Sequence, residues 1–225
     1  MNLGYHLWIS GELAEAKPYY EQALSIRQQV LEEEHQDTIQ CRENLGLLLQ
    51  DMGDLAGAQS NFEQVLAIRR KVLGEQHLDT AQTLNNLGRL LEDMGDLAGA
   101  RPYLEQALAS CRQVLGEDHP FTAASLNNLA SVIQRQGDLV GAQPYYEQAL
   151  RIRRAALGDN HLFMVQSLNQ LGLLLKNLGD VAGARPYLEQ ALRTCEQLVG
   201  SDHRFTQTVR RNLASLDTPP QSPTQ

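Results

Sequence analysis

Five of the six histidines recur at one step: His35, His77, His119, His161 and His203 each stand 42 residues after the last. Histidine is a common metal ligand, but the ligands of one zinc ion must converge to about 2 Å from it. Histidines that fall in five separate turns of a repeating sequence do not converge, so they are read as structural turn residues and no metal site is assigned. Cys41, Cys111 and Cys195 are odd in number and widely spaced, and no N-x-[ST] sequon accompanies them. A reducing compartment suits that usage, which makes the expected location cytoplasmic. Cys111 and Cys195 lie two repeats apart, far beyond the ~7 Å Cα separation that a disulfide tolerates, and are read as buried thiols.

Nucleophile and nucleotide chemistry find no foothold either. The sequence contains no G-x-x-x-x-G-K-[ST], no G-x-G-x-x-G, no H-E-x-x-H and no G-x-S-x-G. Almost every notable polar residue recurs in register, whereas an active site needs residues that depart from the repeat. No catalytic residue, no cofactor and no enzymatic activity are expected.

What remains with recognisable chemistry is amide. Asn2, Asn44, Asn86, Asn128 and Asn212, with Gln170 in one place, form a file at the same 42-residue step, and Asn85, Asn127 and Asn169 form a second. An amide both donates and accepts, which matches the alternating N–H and C=O of an extended peptide without demanding a sequence. Rungs about 10 Å apart would meet about every third residue of a strand rising ~3.3 Å per residue. Bonding of the same amides to neighbouring helices or local backbone is the alternative. Charges flank the files: Glu43, Asp51, Glu92, Asp93 and Arg89 in the first half, Arg135, Lys176 and Arg211 in the second. A bipolar binding face is expected, with ordinary solvated helix faces as the alternative.

The elements that position these residues are helices. Gly11, Gly53, Gly95, Gly137 and Gly179 keep the 42-residue step, and so do Glu12, Asp54, Asp96, Asp138 and Asp180. The segments GDLAGARPYLEQAL at 95–108 and GDVAGARPYLEQAL at 179–192 differ only at Leu97 and Val181. In the unit 79–120, Leu84, Leu87, Leu90 and Leu91 make an apolar stripe of helical period. Gly95 ends that helix and Asp96 caps the next. The second helix is expected from about Leu97 to Leu115, roughly 28 Å, bent slightly at Pro102. Gly116 closes it, and Pro120 opens the following helix. Small residues mark where helices approach closely: Gly46, Gly88, Ala130, Gly172 and Ala214 in first helices, Ala58, Ala100, Ala142 and Ala184 in second ones.

The Leu-Gly of first helices and the Ala of second ones, with the runs LNNLG, PYYEQAL and VLGEDHP, resemble tetratricopeptide repeats of the 42-residue kinesin-light-chain type, also seen in bacterial sensor arrays. The standard unit has about 34 residues, so the extra length falls in the second helix. HEAT or armadillo packing is the rival; the paired Gly and Ala positions favour the tetratricopeptide reading. The resemblance covers Asn2 to Leu216 and implies an all-α, right-handed superhelical solenoid of antiparallel helix pairs. It divides into a partial repeat 1–36, full repeats 37–78, 79–120, 121–162 and 163–204, a capping helix 205–216, and a disordered Pro-rich tail 217–225. In such a solenoid the first helices line a concave groove, and in kinesin light chains groove asparagines hold ligand backbone. The candidate peptide-binding residues are accordingly Asn44, Asn85, Asn86, Arg89, Asn127, Asn128, Arg135, Asn169, Gln170, Lys176 and Asn212.

The expected function is a protein-interaction scaffold that holds an extended peptide or a partner helix. The alternatives are the sensor region of a larger bacterial signalling NTPase, suggested by an opening that aligns with the middle of a first helix, and a self-assembling array. Self-association would use an uncapped N-terminal end bearing Tyr5, Trp8 and Ile9. Nucleic acid is excluded as a partner, because 19 Lys+Arg against 27 Asp+Glu gives a net charge of −8. No stretch approaches the roughly 18 apolar residues of a membrane span, so no membrane partner is expected.

Overall fold

The computed structural model describes residues 3–217; Asn2 and residues 218–225 of the expected tail lie outside the described residues. The described residues form helices joined by short turns and fall into two compact units, divided between Val114 and Leu115. The first unit holds α1 (Leu3–Ser10), α2 (Leu13–Val30), α3 (Gln36–Asp51), α4 (Leu55–Leu73), α5 (Leu78–Met94) and nearly all of α6 (Leu97–Leu115). The second holds α7 (Pro120–Arg135), α8 (Leu139–Leu157), α9 (Leu162–Asn177), α10 (Val181–Val199) and α11 (Arg204–Ala214).

Two capping devices set the helix starts. The Nδ1 atoms of His35, His77, His119, His161 and His203 each accept the backbone N–H two residues on, at 3.1–3.2 Å. These are the structural turn residues that their spacing suggests. The Oδ1 atoms of Asp54, Asp96, Asp138 and Asp180 accept the N–H of Gly57, Gly99, Gly141 and Gly183 at 2.8–3.0 Å. A side chain at any of those glycines would run into the capping carboxylate, so the Asp and the Gly are needed together. In the first repeat Glu12 and Glu15 replace the pair, and Glu12 makes no side-chain cap bond. Asp96→Ala should therefore cost about 1 kcal/mol of stability, as measured by urea unfolding. Glu12→Ala should cost almost nothing.

Helix α6 runs unbroken through Pro102, and α7 starts at Pro120 as its N1 residue. In the first unit Leu45, Leu48, Phe62, Leu66, Leu84, Leu87 and Leu90 build the core. The second unit buries Leu126, Leu129, Tyr146, Met164, Leu168, Leu171 and Leu188. Small residues sit at the crossings: a Cβ on Gly88 would lie 2.5 Å from Leu104 Cγ, and one on Gly172 would lie 2.7 Å from Leu188 Cγ. Ala214 departs from that expectation and is exposed, because no second-type helix follows α11 among the described residues. Cys41, Cys111 and Cys195 are buried and take part in no disulfide among the described residues.

Candidate peptide-binding face

The polar files stand on one helix of each pair. In the first unit Asn44 lies on α3, and Asn85, Asn86 and Arg89 lie on α5. The three amides are half-buried and Arg89 is exposed. Asn86 Nδ2 donates to Glu43 Oε1 at 3.2 Å, and Asn44 Oδ1 accepts from Gln40 Nε2 at 3.0 Å. Further along the same helices, Trp8 Nε1 donates to Asp51 Oδ2, and Gln50 Nε2 donates to Asp93 Oδ2, each at 2.7 Å. All three inter-helix bonds join residues 43 positions apart, one more than the repeat. Helices lying side by side meet at neighbouring registers, and the polar files tie repeat to repeat through that offset.

The second unit repeats the device. Asn212 Nδ2 on α11 donates to Asn169 Oδ1 on α9 at 2.8 Å, again across 43 positions. Asn127 and Asn169 are buried, and Asn127 Nδ2 reaches Ser167 Oγ at 3.5 Å. Lys176 Nζ donates to Ser215 Oγ at 2.7 Å, leaving it half-buried. Asn128, Gln170 and Asn212 are half-buried and Arg135 is exposed. The structure therefore brings Asn86 to Glu43, Asn127 to Ser167, Asn169 to Asn212 and Lys176 to Ser215. Asn44, Arg89 and Gln170 make no bond to another of the candidate residues among those described.

One expected member of the charged face is not on the surface. Glu43 is fully buried, and its two carboxylate oxygens take Arg69 Nη1 and Nη2, both at 2.9 Å. Arg69 Nη1 also donates to Thr83 Oγ1 at 2.6 Å and to the Asp79 carbonyl at 3.0 Å. This bidentate pair inside the core cancels the charge that Glu43 would have brought to a binding face. Asp51 and Asp93 are likewise engaged, by Trp8 and Gln50.

In the second unit the same two registers hold Asn127 and Arg153. Arg153 donates to the Phe163 carbonyl at 3.0 Å and to Ser167 Oγ at 2.7 Å, and its guanidinium lies 5.3 Å from the Phe163 ring centre. No carboxylate balances it among the described residues, and burial pushes its pKa down to about 10. Asn127 Oδ1 is buried without a partner. The signal for these cores was in the sequence: Arg27, Arg69 and Arg153 share one register of the second helix, on a face otherwise apolar.

At the N-terminal end Tyr5 and Ile9 are exposed, whereas Trp8 packs edge-on to Tyr20 with ring centres 5.8 Å apart. The Trp8 ring is thus part of the helix packing rather than a free anchor. Among the described residues no group of three His, Cys, Asp or Glu side chains gathers as a metal site, and no helix is long and apolar enough to cross a membrane.

Within each unit, packed helix pairs that carry ranked polar side chains along one helix of each pair define a repeat protein of the interaction-scaffold class. A tetratricopeptide-repeat family model matches residues 1–71, 43–112, 90–155 and 121–197, and the chain belongs to the tetratricopeptide-repeat family, with its all-α solenoid fold. Among solved structures, nearly identical TPR-like repeats attributed to a kinesin light chain of Podosopora anserina are 26% identical, with a TM-score of 0.73 over 87% of this chain and 92% of that one. BtubC from P. vanneervenii is 22% identical, with a TM-score of 0.76 over 91% of this chain and 82% of that one. The Rap conjugation gene regulator of plasmid pLS20, in complex with the Phr* peptide, is 17% identical, with a TM-score of 0.77 over 96% of this chain and 57% of that one. The fold is thus that of kinesin-light-chain-like tetratricopeptide proteins. None of the curated proteins matches the chain.

Proposed function

We propose that this protein is a non-catalytic scaffold that holds an extended peptide, or a partner helix, against its first-type helices, with the amide file as the contact to ligand backbone. The observation that carries the reading is the hydrogen-bonding capacity left in that file. Among the described residues Asn44 commits its carbonyl to Gln40 and makes no bond through its side-chain N–H groups, Asn86 spends one N–H on Glu43, and the Gln170 side chain makes no bond. Each of the three is half-buried, so a ligand bond made there is partly shielded from water. The second file has a different part: Asn127 and Asn169 are buried and join helices, and a ligand contacts the file beside them. The pLS20 regulator bound to its Phr* peptide, a protein of similar fold, supports a peptide as the class of ligand.

The test is a selection of extended peptides from a random library on the full-length protein. The selected peptides are then titrated into the variant Asn44→Ala/Gln170→Ala, which removes one rung from each unit. The variant should keep its helical circular dichroism and lose about tenfold or more in affinity, the scale of one to two net hydrogen bonds. Unchanged affinity, or a selection that enriches nothing, contradicts the reading.

A further inference from the structure

The second unit keeps the cation of the buried pair that the first unit completes. Arg153 stands at the register of Arg69, Ser167 at that of Thr83, Gln170 at that of Asn86, and Asn127 at that of Glu43. The frame around the guanidinium is common to both. Arg69 Nη1 donates to the Asp79 carbonyl at 3.0 Å and to Thr83 Oγ1 at 2.6 Å; Arg153 Nη1 donates to the Phe163 carbonyl at 3.0 Å and to Ser167 Oγ at 2.7 Å. The other arm differs. Arg69 Nη2 ends on Glu43 Oε2, whereas every hydrogen bond from Arg153 to a described residue leaves from Nη1. Arg153 is 4% exposed and Asn127 5%, so neither can turn to bulk water for what is missing.

Asn127 is a poor substitute for Glu43. It is one methylene shorter and neutral, so it falls short of the cation and brings no charge. Its amide is also badly placed as it stands: Oδ1 is buried without a partner, and Nδ2 lies 3.5 Å from Ser167 Oγ. Ser167 Oγ accepts from Arg153 Nη1, and its own proton goes to no described residue. Rotating the carboxamide about its terminal bond would give that proton to Oδ1 and leave a buried N–H seeking an acceptor beside an unbalanced cation.

We propose that a single halide ion, chloride in ordinary media, completes this cluster, held by Arg153 Nη2 and the turned Asn127 N–H where Glu43 Oε2 stands in the first unit. Gln170, whose side chain makes no bond to a described residue, supplies a further N–H from the register at which Asn86 grips Glu43. A water would satisfy the amide but not the charge. A polyatomic anion needs more room than the one methylene by which Asn127 falls short of glutamate. Because Arg153, Asn127 and Ser167 are all buried, the ion belongs to the core and is independent of the peptide reading.

The test uses the full-length protein in sodium isethionate, with chloride or bromide exchanged in at one fixed ionic strength. The chloride-35 line width and the Asn127 side-chain amide resonances are followed. A saturable excess broadening that bromide competes away, with an Asn127 shift on the same curve, is the expected result, and halide should raise the urea midpoint of the second unit. Asn127→Glu gives that unit its own carboxylate. It should keep its helical circular dichroism, lose about tenfold or more in halide affinity, and unfold at a midpoint no longer dependent on halide. Arg151→Gln, which removes an exposed cation from the same helix, should leave the broadening unchanged. No saturable broadening in the wild-type protein overturns the site. So does broadening that persists undiminished in Asn127→Glu, which would mark adventitious surface binding, and so does an Asn127→Glu variant that fails to fold.

Discussion

Replacing Glu43 by alanine should destabilise the first unit by about 3–5 kcal/mol, the cost of leaving a buried charge without its partner. Arg69 is the charge left behind: it is 4% exposed and reaches no other carboxylate among the described residues. Thr83 and the Asp79 carbonyl would still accept from its Nη1, but they supply dipoles where a full charge had been. The urea midpoint of the first unit should fall accordingly, while Glu63→Ala, at an exposed position, should move it by less than about 0.5 kcal/mol. A second variant isolates the cause. Glu43→Leu combined with Arg69→Met removes both charges at nearly constant volume and should be more stable than Glu43→Ala, since apolar replacement of a whole buried pair is often neutral. If the double variant is the less stable of the two, the loss comes from packing rather than from an orphaned charge.

Gly88→Leu should cost about 1–3 kcal/mol through overpacking. A Cβ there would already lie 2.5 Å from two Leu104 side-chain atoms and 3.3 Å from the Ala100 carbonyl oxygen, so α5 cannot accept a larger residue without moving off α6. Leu104 is wholly buried and has no free space to swing into. Arg89→Leu, one residue further along the same helix but exposed, adds the same side chain with no such contact and should stay within about 0.5 kcal/mol. Thermal unfolding of the pair reads the difference directly, and an unchanged Tm for Gly88→Leu would contradict the close crossing.

The helix pairs were legible because each rests on local or strictly repeating features. The stripe of Leu84, Leu87, Leu90 and Leu91, the Asp96 cap and the break at Gly95 need only a few neighbours to act, and all appear in the expected places. The polar face was less legible because its bonds cross between repeats. Glu43 is a residue type that favours solvent; its burial depends on Arg69, a side chain 26 residues away on another helix. The 43-residue offset linking Trp8 to Asp51 and Gln50 to Asp93 is likewise set by how neighbouring helices lie together, which a 42-residue period does not reveal. The two amide files look alike in sequence, yet burial separates Asn127 and Asn169 from Asn44 and Gln170.

The most direct measurement of the scaffold mechanism is the side-chain amide spectrum of the full-length protein as a library-selected peptide is added to saturation. The account predicts that the Asn44, Asn86, Asn128 and Gln170 side-chain resonances shift with one common binding curve, while those of the buried Asn127 and Asn169 change little. Saturation of the peptide with the first four resonances unmoved would show that the ligand is held somewhere else.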